Sequence, residues 1–182
     1  MKAFRRRFTA FGEHFGLDRL LLIHITFREP VRQPSEANRI WHSLATNLVN
    51  KRYDAWFRIM GVGEDGKLHF HVVVVLPQPT LKSHLLLTEE RKFWCNRSGS
   101  HKNGRVSVEW IGSFPKVMHY LLRNLNQVRA AFPRSGVRFA TASGAAGKLF
   151  RDRSLMAILA PLENFGRRKK VPKTMLPATL TL

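Results

Sequence analysis

The spacing of apolar and polar positions divides the chain into short strands and two well-marked helices. "RLLLIHITF" (Arg19–Phe27) is leucine-rich and β-branched and stops at Arg28-Glu29-Pro30, which predicts a buried strand. A cap at Ser35 opens a helix over "SEANRIWHSLATNLVNKR", where Ile40, Leu44 and Leu48, with Trp41 off-centre, form an apolar stripe. "DAWFRIMGV" (Asp54–Val62) predicts a second strand, "GEDG" (Gly63–Gly66) a hairpin turn, and "KLHFHVVVVLP" (Lys67–Pro77) a third strand. Thr88 to Cys95 reads as helical and "GRVSVEWI" (Gly104–Ile111) as a short strand. Ser113, with Pro115 in the first turn, starts a helix over "FPKVMHYLLRNLNQVRAA", and "GVRFATAS" (Gly136–Ser143) adds a last strand. This order predicts an α+β fold: a single mainly antiparallel sheet with helices packed on a face. One domain over residues 1–165 is expected, followed by a basic, loosely ordered tail over 166–182 that contains "RRKK".

Composition narrows the class. The chain has 182 residues, suited to one domain, and 31 Lys and Arg against 12 Asp and Glu, a net charge of +19. Solubility alone calls for far less charge, so the excess points to a polyanionic partner, nucleic acid first. The charge is uneven: no Asp or Glu occurs from Trp110 to Arg151, a stretch holding Lys116, Arg123, Arg129, Arg134, Arg138, Lys148 and Arg151. A surface built to neutralise phosphates has this composition, and Lys116, Arg129, Arg134 and Arg138 are the expected DNA-binding residues. A single cysteine, Cys95, excludes a disulfide framework and a thiolate metal cage. The longest apolar runs are strand-sized, so no membrane span or signal peptide is expected, and the cytoplasm is the expected location.

Two features carry candidate chemistry. In "KLHFHVVVVLP" the period of a strand puts His69, His71, Val73 and Val75 on one face and Leu68, Phe70, Val72 and Val74 on the other. His69 and His71 therefore point the same way, with Cα atoms roughly 6.6 Å apart, and can either converge on one ion or stand hydrated at a sheet rim. The chain has two tyrosines. Tyr53 begins a strand and is expected in the core. Tyr120 lies mid-helix, bordering the stripe Val117, Leu121, Leu125, Val128, with Lys116 a turn before it and Arg123 a turn after. It is either a tyrosine at a helix edge or a nucleophile whose phenolate the two cations favour and whose phosphate target they hold.

The strand "LLIHITF", the helix after it, "GKLHFHVVVVLP" and a downstream helix with tyrosine followed by a cation resemble the HUH endonucleases. Among these the chain is most similar to the one-tyrosine rolling-circle replication initiators of plasmids and single-stranded DNA phages. The resemblance covers about residues 20 to 143 and includes the pair Phe93-Trp94. It implies a sheet with RNA-recognition-like β-α-β topology and a Mg²⁺ or Mn²⁺ ion on His69 and His71. It further implies a site-specific single-stranded DNA endonuclease and strand transferase that starts rolling-circle replication. Tyr120 would attack a DNA phosphate to leave a 5′-phosphotyrosyl bond, with Arg123 as the cation beside it. The implied partners are single-stranded DNA or an origin hairpin, and a host helicase, because no Gly-x-x-x-x-Gly-Lys-Ser/Thr loop for a nucleotide cofactor occurs.

The chain departs from that pattern in two places. Relatives often carry a carboxylate or polar ligand where Gly61 stands here; Glu64 in the turn is the replacement expected, with Asp65 and Glu109 also near in sequence or on a later strand. The cation after the tyrosine is commonly lysine and here is Arg123, which clamps phosphate but exchanges protons poorly. Two alternatives fit the same pattern: a one-tyrosine transposase of insertion-sequence type, and a DNA-binding protein that has kept the fold but not catalysis.

Overall fold

The computed structural model describes residues 2–96 and 103–149; the predicted tail over 166–182 and the domain limit at 165 lie outside the described residues. Five strands form one sheet in the order β4-β1-β3-β2-β5, from β1 (Leu20–Phe27), β2 (Ala55–Val62), β3 (Leu68–Val75), β4 (Asn103–Trp110) and β5 (Ala140–Ala142). Every adjacent pair is antiparallel. β3 lies between β1 and β2, so the helix joining those two crosses over it; this is the split β-α-β arrangement expected from the resemblance. The β2–β3 connection is the predicted hairpin, closed by Gly63 N–H to Lys67 O at 2.8 Å, with Gly66 at φ +74° where a side chain would be strained.

Between β1 and β2 run α2 (Pro34–Leu44), a π-helical turn (Ala45–Val49) and the single turn α3 (Asn50–Arg52). The helix starts with Pro34 in its first turn after Gln33, so Ser35 sits inside the first turn rather than capping it. α4 (His84–Asn96) packs along β4, and α5 (Phe114–Ala131) lies across β2. α5 buries Leu121, Leu122, Asn124, Leu125 and Val128, as a stripe at helical spacing must. β5 is shorter than the predicted strand; its pairing with β2 is limited to the stretch from Ala140 to Ala142.

Helices cover both faces of the sheet, where one covered face was expected. The histidine face, which also carries Phe57, meets α5 and the N-terminal helix α1 (Lys2–Phe15). α1 has no counterpart among the predicted elements. Its Phe4, Phe8 and Phe11 are buried, and Phe8 stands 5.4 Å from Phe57 and 4.5 Å from Phe114 between ring centroids. On the opposite face Trp41 of α2 packs edge-on to Trp56 and Phe70 at 5.0 and 5.4 Å. A short α6 (Gly144–Leu149) follows β5. Among the described residues, no helix is long and apolar enough to cross a membrane.

Candidate functional site

The strand register decides which side chains meet. His71 of β3 pairs with His24 of β1, and His69 with Thr26, so His24 emerges on the same face as the predicted histidine pair. The three rings pack at centroid separations of 4.7 to 4.8 Å. One ligand nitrogen from each of His24, His69 and His71 lies within 4.8 Å of the others, and the Nε2 atoms of His69 and His71 are 3.0 Å apart. Nitrogens sharing one ion at about 2.1 Å stand roughly 3–4 Å apart, so His69 and His71 stand at ligand spacing, and the three nitrogens, within 4.8 Å of one another, would have to draw in slightly to share an ion.

Protonation fits the same use. Burial, followed by the charge of His24, lowers the pKa of His69 to about 4. Burial, followed by His69 and His24, lowers that of His71 to about 3. His24 is lowered chiefly by burial, with Glu109 opposing and Arg105 assisting. All three are therefore neutral near pH 7, the form that gives a lone pair to a metal. His24 Nε2 is buried with no hydrogen-bond partner, an open valence that a cation in the cluster would fill.

Gly61 makes the cluster possible. It pairs with His69 across β2 and β3, and a Cβ at position 61 would lie 2.3 Å from His69 Nε2. The imidazole occupies the space a side chain there would need. The position that carries no ligand of its own is the floor under one. Glu64 is exposed in the turn and does not belong to the cluster; the third imidazole comes from His24 instead.

Tyr120 of α5 closes over this site. Its hydroxyl lies 3.3 Å from His71 Nδ1, and the two rings meet edge-on at 4.9 Å. Arg123 places its guanidinium carbon 5.9 Å from the centre of the tyrosine ring, and Lys116, one turn earlier, is exposed. The expected lowering of the phenol's pKa is not what results. Burial raises it, and Arg123 offsets only part of that rise. Asn124, one turn beyond, is buried at 6% exposure. Its Nδ2 donates to Tyr120 O at 2.9 Å, and its side chain favours the charged forms of His69, His71 and Tyr120. Asn124 and His24 are the two members that sequence spacing did not single out. Tyr53, by contrast, is buried in the core, donates to Glu90 Oε2 at 2.5 Å and accepts from Trp94 Nε1 at 2.9 Å.

The basic residues separate along the fold. Arg129 and Arg138 line a cavity of about 1080 Å³ together with Arg7 of α1. Arg134 borders a neighbouring pocket beside Gln33 and Pro34. Arg129 follows Tyr120 by nine residues, about 13 Å along the same helix at 1.5 Å per residue.

No family model matches the chain. The chain is similar to the phasyl DNA replicon protein arp of Escherichia coli, with 28% identity in an alignment covering 85% of the chain. That alignment spans 61% of the replicon protein's own length.

Proposed function

We propose that this chain acts in DNA replication as a metal-dependent single-stranded DNA nickase and strand transferase. The observation that carries the reading is the Tyr120 hydroxyl set 3.3 Å from His71 on the rim of a three-histidine cluster. A lone tyrosine beside solvated bases needs no such neighbour. The similarity to a replicon protein favours replication over transposition. The three-imidazole cluster weighs against a non-catalytic DNA-binding protein, a reading that rested on the missing ligand at Gly61.

In this reading His24, His69 and His71 hold the ion, which would supply positive charge against the non-bridging oxygens of the scissile phosphate. The donor set contains imidazoles and no carboxylate, so it suits Mn²⁺ better than Mg²⁺, which prefers oxygen ligands. Tyr120 Oη forms the new bond to phosphorus while the bond from phosphorus to the 3′-oxygen breaks. The phenolic proton leaves to solvent, and the departing 3′-oxygen takes one up. Arg123 and Lys116 flank the phosphodiester, and Arg129 and Arg138 hold the strand beyond it by charge. The transesterification is close to balanced, so the strand can be rejoined without a nucleotide cofactor. Unwinding would come from a helicase partner.

Incubation with a library of single-stranded oligonucleotides and Mn²⁺ tests this. A covalent protein–DNA band should form with the wild type. It should vanish in Tyr120→Phe, which keeps the ring that packs beside Leu121, and in His24→Ala at Mn²⁺ concentrations that saturate the wild type. Cleavage by Tyr120→Phe without an adduct would make water the nucleophile and sink the tyrosine mechanism.

A further inference from the structure

Among the described residues, four buried side-chain polar atoms lack any hydrogen-bond partner: His24 Nε2, Asn38 Oδ1, Trp41 Nε1 and one terminal guanidinium nitrogen of Arg58, Nη1. The first belongs to the metal cluster. The other three belong to residues that line one cavity of about 580 Å³ on the opposite face of the sheet. Buried polar groups are nearly always paired, so three orphans around one space, with no partner within the fold, point to a ligand. The volume falls in the range of small-molecule sites, about 300–1,000 Å³.

Arg58 is the most telling of the three. It is fully buried on β2, over the rings of Trp41 and Phe70 at 5.5 and 5.0 Å. Its other nitrogens are tied to the chain, Nε to Thr141 Oγ1 at 3.1 Å and Nη2 to Arg138 O at 3.2 Å, which fixes the guanidinium plane and leaves Nη1 over. Among the described residues no carboxylate offsets its burial, which lowers its pKa to about 9. The neighbouring indole of Trp56 is satisfied by Asn50 Oδ1 at 2.7 Å, so the free N–H of Trp41 is not a general feature of this wall. The π-helical turn Ala45–Val49 contributes Ala45 and Thr46 to the same wall, a distortion that recurs at functional sites.

The vacant groups are two donors, one of them cationic, and one acceptor, set between aromatic rings. A plain anion would meet the donors but be repelled by the carboxamide oxygen of Asn38. A nucleobase edge offers acceptors and an N–H together and stacks on indole. Exposed Arg138 lies at the cavity rim, within the acid-free stretch, where a sugar-phosphate would sit. We propose that this cavity binds one unpaired nucleobase of the DNA strand, recognised by Arg58, Trp41 and Asn38, with its phosphate held at Arg138. The proposal rests on the reading of the chain as a single-stranded DNA protein and gives that protein a base-reading site remote from the chemistry.

The test is calorimetric titration of the full chain with dAMP, dCMP, dGMP, dTMP and 2-deoxyribose 5-phosphate. At least one nucleotide should bind tenfold or more tightly than the baseless sugar phosphate. Trp41→Phe, which removes the indole N–H, and the half-buried Asn38→Ala should each reduce that preference at least fivefold. Equal binding of the sugar phosphate would reveal an anion site and overturn the proposal, as would a preference unchanged in Asn38→Ala. Loss of the preference in His71→Ala would place the base at the catalytic face and overturn the proposal as well. Adduct formation at Tyr120 is scored separately: a nickase with no base preference refutes this site alone, and base preference without any adduct refutes the nickase alone.

Discussion

Replacing Gly61 by alanine should spare the fold and weaken the metal binding proposed for the histidine cluster. The new Cβ would lie 2.3 Å from His69 Nε2, 2.9 Å from its Cδ2 and 3.0 Å from its Cε1, and ordinary contact begins at 3.4 Å. The ring must therefore retreat by at least about 1.1 Å. All three clashing atoms belong to the far end of one side chain and none to the backbone, so the strand itself need not move. A metal site tolerates about 0.2 Å of ligand displacement. His69 would leave the cluster, and its Nε2 would no longer face that of His71 at 3.0 Å. Disturbing even outer-shell partners costs about 10–100-fold in metal affinity, so Gly61→Ala should weaken Mn²⁺ binding by at least that factor. Overpacking should cost about 1–3 kcal/mol of stability. Isothermal titration with Mn²⁺ reads the first quantity and urea denaturation of the metal-free protein the second. Mn²⁺ affinity within twofold of the wild type would refute the idea that the imidazole needs the glycine beneath it. Gly61→Asp, which introduces a carboxylate at that position, should fare no better, because its Cβ meets the same ring.

Three further outcomes are expected. In metal-free protein the unfolded chain protonates its histidines below about pH 6.5, while the folded chain keeps His69 and His71 neutral down to about 4 and 3. Stability is thus fully present above pH 6.5 and falls with pH below it, by on the order of 2–4 kcal/mol near pH 4 after discounting for partial exposure; urea midpoints that stay flat from pH 7 to 4.5 would contradict this. Tyr53→Phe should retain adduct formation but lower the melting temperature, because Glu90 and Trp94 each lose a buried partner worth about 1–3 kcal/mol; differential scanning calorimetry checks it, and an unchanged transition would argue against that network. Replacing Arg129, Arg134 and Arg138 together by alanine should flatten the slope of log affinity against log salt for single-stranded DNA by about 2, at roughly 0.7 per phosphate contact; an unchanged slope would place the strand elsewhere.

Strand and helix periods made most of the sheet legible, including the face shared by His69 and His71 and the whole extent of α5. The same arithmetic passed over α1, whose Phe4, Phe8, Phe11 and Phe15 recur at helical spacing but are interrupted by the run Arg5-Arg6-Arg7. His24 stayed invisible for a different reason. A solitary histidine in an apolar strand has no local partner, and only the register of β1 against β3 puts it opposite His71. Gly61 and Tyr120 mark a third kind of limit. A sequence shows which charges flank a phenol but not how deeply it is buried, and here burial outweighs Arg123. It likewise shows an absent side chain without showing the ring that fills its space.

His71 looks in two directions, with Nε2 toward His69 and Nδ1 toward the hydroxyl of Tyr120. A neutral imidazole carries a single proton, so the two nitrogens cannot both offer lone pairs. When Nε2 gives its pair to a cation, the proton is confined to Nδ1, and Nδ1 becomes the donor to the phenolic oxygen. The tyrosine's own proton must then point away from the sheet, toward whatever lies in the cleft. Ion occupancy would thereby fix a tautomer, and the tautomer would fix which way the Tyr120 hydroxyl faces.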